Sequence, residues 1–159
     1  MSRVRARVVI LVAIVVAFAG GCGGADDSTP VACLEGAGAY ERALKAVPNT
    51  VMLGDETLIS ECLPRNQTGG DLSRVGEAVI ETATALNAEA REDPGGAAAL
   101  RLGYLLGAVK RGSGASEGIH ADLVRRLVVA ARFAPGKQPL SQEFLEAFRE
   151  GFDAGRNDG

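Results

Sequence analysis

An all-α fold, a small bundle of about five helices, is what this 159-residue chain predicts beyond its first thirty positions. Three observations carry that expectation. Apolar residues recur at spacings of three and four along successive stretches, the period that lines up one helix face. Each stretch is closed by proline, by glycine, or by basic residues followed by glycine, which are helix stops. Aromatic residues make up only 4% of the chain and Trp is absent. The core must therefore be built from Leu, Val, Ile and many Ala, and small side chains let helix backbones approach closely.

The elements follow in order. Leu34, Ala37, Tyr40, Leu44 and Val47 form a first helical stripe that Pro48 ends. Asp55 can cap a short helix carrying Leu58, Ile59 and Cys62, although VML at 51–53 and TLI at 57–59 also allow short strands. After Gly69 and Gly70, Asp71 is a good N-cap for a long stripe through Leu72, Val75, Val79, Ala83, Leu86 and Ala90. Pro94-Gly95-Gly96 breaks it. The next helix runs from about Ala97 to Arg111, with Lys110, Arg111 and Gly112 suiting a C-terminus. Ser116 can cap a fourth helix that points Ile119, Leu123, Leu127, Val128 and Ala131 inward. Ser141 caps the last, with Leu140 and Leu145 placed for a hydrophobic staple. Its Phe144, Phe148 and Phe152 repeat every four residues, an aromatic face that should close the bundle. The helical domain spans 33–155, and residues 156–159 read as a disordered tail.

The first segment has another character. Arg3, Arg5 and Arg7 precede the unbroken apolar run VVILVAIVVAFA at 8–19, and the small residues Ala19-Gly20-Gly21 lead into Cys22. This is the three-part layout of a secretory signal peptide. The apolar run is shorter than the roughly 17 to 25 residues of a membrane span. Ala17-Phe18-Ala19 also offers an A-x-A site whose cleavage would release a soluble protein.

Ala19-Gly20-Gly21-Cys22 resembles the lipobox of bacterial prolipoproteins, with Ala19 where that class usually has Leu. The resemblance covers only the leader. It implies a signal peptide over 1–21, cleavage before Cys22, and a diacylglyceryl thioether on the Cys22 sulfur. Two or more acyl chains hold a protein stably on a bilayer, whereas one holds marginally. Residues 22–32 then form the lipidated cysteine and a flexible linker, rich in Gly, Asp and Ser.

Cysteine arithmetic points the same way. The chain has three cysteines, Cys22, Cys33 and Cys62. Exported proteins usually pair theirs, so an odd one needs an explanation. Lipidation of Cys22 leaves Cys33 and Cys62 for a disulfide, and two buried free thiols are the alternative. Without the leader, 14 cations face 20 carboxylates, a formal charge of −6. That balance lacks the basic footprint of a nucleic-acid-binding protein.

Catalytic signals are sparse. Gly114-Ala115-Ser116-Glu117-Gly118 matches G-x-S-x-G, but that elbow works between a strand and a helix, with a partner histidine elsewhere in the fold. The single histidine, His120, lies four residues on. Alone, it lacks the three or four ligands that zinc needs. Ala99, Gly103 and Gly107 form a small-residue seam, read as close helix packing or as a ligand groove. Arg125, Arg126 and Arg132, with Lys110 and Arg111, can gather as a patch for anionic headgroups or for a partner.

The chain therefore reads as an exported protein, lipid-anchored on the extracytoplasmic side of the cell membrane or envelope. Its expected role is that of a binding or scaffold module, with membrane lipid and an envelope protein as partners and no cofactor or metal. A carrier of a small apolar ligand and a hydrolase using Ser116 or His120 are the alternatives.

Overall fold

The structure, a computed structural model, describes residues 28–159 apart from 115 and 117. The expected leader, Cys22 and the expected linker as far as residue 27 lie outside the described residues. Among the described residues the fold is all-α: five helices and one two-stranded hairpin. The helices are α1 (Ala37–Ala43), α2 (Gly69–Glu92), α3 (Ala97–Ser113), α4 (Ala121–Arg132) and α5 (Gln142–Asp158).

Helix α3 is the centre. Every residue from Leu102 to Val109 is buried, as expected of a helix covered all round. α2, α4, α5 and a 3₁₀ turn (Ile59–Cys62) all pack against it. Helices α3 and α5 run parallel, because Gly103 faces Phe148 and Phe152 while Gly107 faces Phe152 and Arg156. In return, Gly151 rests on the Leu100 carbonyl and Gly155 on the Tyr104 carbonyl. A Cβ on any of these four glycines would overlap the opposing backbone. The small-residue seam is thus closed by α5, and it holds no ligand groove. The three phenylalanines stack along the flank of α5, with ring centroids 6.0 and 6.5 Å apart. Phe144 is buried and the other two are half-buried.

Several boundaries differ from expectation, each for a physical reason. The first stripe is not one helix: Val31–Leu34 and Leu44–Ala46 are 3₁₀ turns, and Gly36 at φ +82° breaks the chain before α1. Asp55 caps no helix. It sits at φ +71° in the tip joining β1 (Met52–Leu53) to β2 (Thr57–Leu58), an antiparallel pair. The strand alternative holds here, and the 3₁₀ turn with Ile59 and Cys62 follows directly. Glu61 accepts from the Leu58 amide at 2.8 Å and so closes that turn.

Thr68, not Asp71, caps α2, its hydroxyl accepting from the Asp71 amide at 3.1 Å. Asp71 lies inside the first turn, where its charge suits the positive end of the helix. Helix α3 passes through Gly112 to Ser113, and a side chain at 112 would strike the Ser60 carbonyl. Gly112 is a packing residue rather than the C-cap. Ser141 does cap α5, accepting from the Phe144 amide at 3.2 Å. α5 continues to Asp158, so the expected tail at 156–158 is helical. At the other end Thr29 is buried and Val31–Leu34 is ordered as a 3₁₀ turn. Thr29 and the 3₁₀ turn therefore belong to the packed structure, although they fall inside the stretch expected to be linker.

Cys33 and Cys62 form a disulfide, which ties the first 3₁₀ turn to the one after the hairpin. Hydrogen bonds fix the same region: Tyr40 Oη donates to the Cys33 carbonyl at 3.1 Å, and the Val51 amide donates to Tyr104 Oη at 3.0 Å.

Candidate functional site

His120 stands immediately before α4, at its N-cap position, and is 0% exposed. Its Nε2 lies 2.8 Å from Gln67 Oε1. Gln67 in turn donates through Nε2 to Thr29 Oγ1 at 3.0 Å and to the Cys62 carbonyl at 2.9 Å. With both donations directed there, Oε1 must accept, so the neutral imidazole carries its proton on Nε2. Nδ1 is then a bare, buried acceptor with no partner among the described residues. Burial pushes the His120 pKa below its usual 6.5.

This network joins the segment at Thr29, the disulfide and the start of α4. It has the geometry of a structural clasp, with the imidazole fully buried. A pH dependence follows. The folded state holds the His120 proton less tightly than the unfolded state, so its neutral form contributes stability that is fully present above pH 6.5. That contribution is lost as pH falls from 6.5 through the lowered folded pKa. Urea midpoints measured between pH 7.5 and 5 are expected to decline below about 6.5, and His120→Gln to flatten that decline. Equal slopes in the two proteins would sink the assignment.

Ser116 is not the cap of α4. It is buried in the turns after α3, and its hydroxyl donates to the Ser113 carbonyl at 2.6 Å. A helix, not a strand, precedes it. No hydrogen bond joins Ser116 to His120 among the described residues. The elbow pattern thus lacks its strand, its exposed hydroxyl and its base. Ile119, expected inward, is 48% exposed, because the helix begins only at Ala121.

The open surface lies between α2 and α4, which run parallel. A groove of about 710 Å³ there has Leu72, Ile80, Ile119 and Leu123 as apolar lining, with Glu77, Glu81, Asp122 and Arg126 as its charges. Gly76 faces Leu123 of α4, and a Cβ there would stand 3.4 Å from Leu123 Cδ1. Next to it, Ile80, Val129 and Phe133 line a second concavity with Asp122, Arg125 and Arg126. Val129 is 67% and Phe133 60% exposed. The five cations do not form one patch. Arg125, Arg126 and Arg132 lie on the exposed side of α4, whereas Arg111 bonds the Asn157 carbonyl at the end of α5.

Gln67 is the residue that sequence patterns miss. It sits in a turn before α2 with no periodic signal, and its role exists only through contacts with residues 29, 62 and 120. Among the described residues no three His, Cys, Asp or Glu side chains converge as a metal site, and no helix is long and apolar enough to cross a membrane. Comparison of the chain with protein-family models, with curated proteins and with solved structures finds no match.

Proposed function

We propose that the protein is a lipid-anchored binding or scaffold module on the extracytoplasmic side of the cell envelope, held by acyl chains on Cys22. One observation carries the reading: Cys33 and Cys62 are joined to each other, which leaves Cys22 as the unpaired cysteine of the three. That cysteine follows a basic, apolar and small-residue leader, where lipid attachment would use it. A disulfide-tied domain suits an oxidising compartment. The carrier alternative draws less support, because the small-residue seam is filled by α5 and the concavities between α2 and α4 lie at the surface.

Intact mass and fractionation of the native protein beside a Cys22→Ala variant test this. The native form is expected in the membrane fraction, beginning at Cys22 and carrying acyl mass that the variant lacks. A soluble native form beginning at Gly20 would instead place the cut after Ala19 and overturn the anchor.

A further inference from the structure

The outer side of α4 is unusual in what it leaves in water. Val129 and Phe133 are both more than half exposed, and Arg125, Arg126 and Arg132 are exposed on the same helix. Phe133 is not a loose end. Its carbonyl accepts from Asn87 Nδ2 and from Arg91 Nε, each at 2.8 Å, so the backbone is pinned while the ring stays outside. Asn87 is itself buried and also donates to the Ala130 carbonyl at 3.1 Å. Exposed apolar side chains interleaved with arginine are what an interfacial helix presents to acyl chains and phosphate headgroups. Of the acidic groups nearby, Glu77 and Glu81 line the other end of the groove, whereas Asp122 lines both concavities and is paired with Arg125 at 2.9 Å.

Tether length fits the same geometry. Seven residue steps separate Cys22 from Thr29, at most about 25 Å of extended chain. Thr29 is joined through Gln67 to His120, at the start of α4. The twelve-residue α4 is about 18 Å long. A bilayer holding Cys22 therefore lies within reach of the whole helix.

We propose that this side of α4, centred on Val129 and Phe133 with Arg125, Arg126 and Arg132, docks the domain flat on an anionic phospholipid surface. The proposal rests on the Cys22 anchor for its tether, but the contact has its own chemistry. Each arginine near an anionic leaflet favours the docked state by about fivefold. Reversing all three is expected to lower the docked-to-undocked ratio by about 100-fold or more.

The chain contains no Trp, so Phe133→Trp supplies a single indole. The full processed protein carrying it is reconstituted into phosphatidylcholine vesicles with and without phosphatidylglycerol, each with brominated acyl chains. Flotation on phosphatidylcholine alone reads the anchor; quenching of the indole reads docking. Quenching is expected only with phosphatidylglycerol, and is expected to vanish with Arg125→Glu, Arg126→Glu and Arg132→Glu together, with the circular dichroism unchanged. Absence of quenching in both vesicles overturns the proposal. So does equal quenching in both, or concentration-dependent cross-linking between copies through this side of α4. Lost flotation with phosphatidylglycerol-dependent quenching retained would overturn the anchor alone.

Discussion

Gly151→Ala is expected to lower the free energy of unfolding by about 3 kcal/mol, read from urea denaturation followed by circular dichroism. The sign is the informative part. In a solvent-exposed helix interior the same change stabilises by about 1 kcal/mol, because alanine restricts the unfolded chain and glycine does not. Here the added methyl would overlap the Leu100 carbonyl and the Tyr104 amide nitrogen. Helices α3 and α5 would have to separate, and the contacts of Gly103, Gly107 and Gly155 would loosen along with Gly151. Gly70→Ala is the control. Its new Cβ meets nothing nearer than Thr68 Oγ1 at 3.9 Å, so stability should hold or rise by up to about 1 kcal/mol. A stabilising Gly151→Ala would mean that the parallel α3–α5 contact is wrong.

Removal of the disulfide by Cys33→Ala with Cys62→Ala is the second large change, with an expected loss of about 3–4 kcal/mol. The bridge closes a loop between positions 29 apart, and opening it returns conformational freedom to the unfolded chain. Both cysteines are buried, so the substitutions also remove some packing. The same denaturation series with and without reductant should move the wild-type curve onto that of the double variant. A loss below about 1 kcal/mol would show that the unfolded chain gains little freedom when the loop opens. The hydrogen bonds to the Cys33 and Cys62 carbonyls would then suffice to hold this region.

Much of the helical framework is legible from local pattern. The stripe from Leu72 to Ala90 and the Ser141 cap of α5 are read correctly, because periodicity and capping act within a few residues. Boundaries fail where several residues could do the same local job. Thr68 and Asp71 are both competent caps, and Gly112 suits a helix end until Ser60 is packed against it. The Phe144–Phe148–Phe152 stripe suggests an aromatic closure, yet the close contact comes from glycines on the same helix. Side-chain size indicates burial more readily than it indicates backbone approach.

The candidate site shows the same limit. Ser116 and His120 are four residues apart, which invites pairing, but Ser116 bonds Ser113 while His120 bonds Gln67, 53 positions earlier. No local rule links those positions.

What the sequence by itself determines is the helical class and much of the segmentation into helices between proline and glycine breaks. These are properties of short range, set by periodicity, caps and composition. Only the tertiary structure decides that α3 and α5 lie parallel with their backbones in contact, that His120 is clasped by Gln67, and that Phe133 is pinned by its backbone with its ring in solvent. Each depends on residues more than forty positions apart, brought together by the packing of the whole core, and local sequence pattern carries no record of that distance.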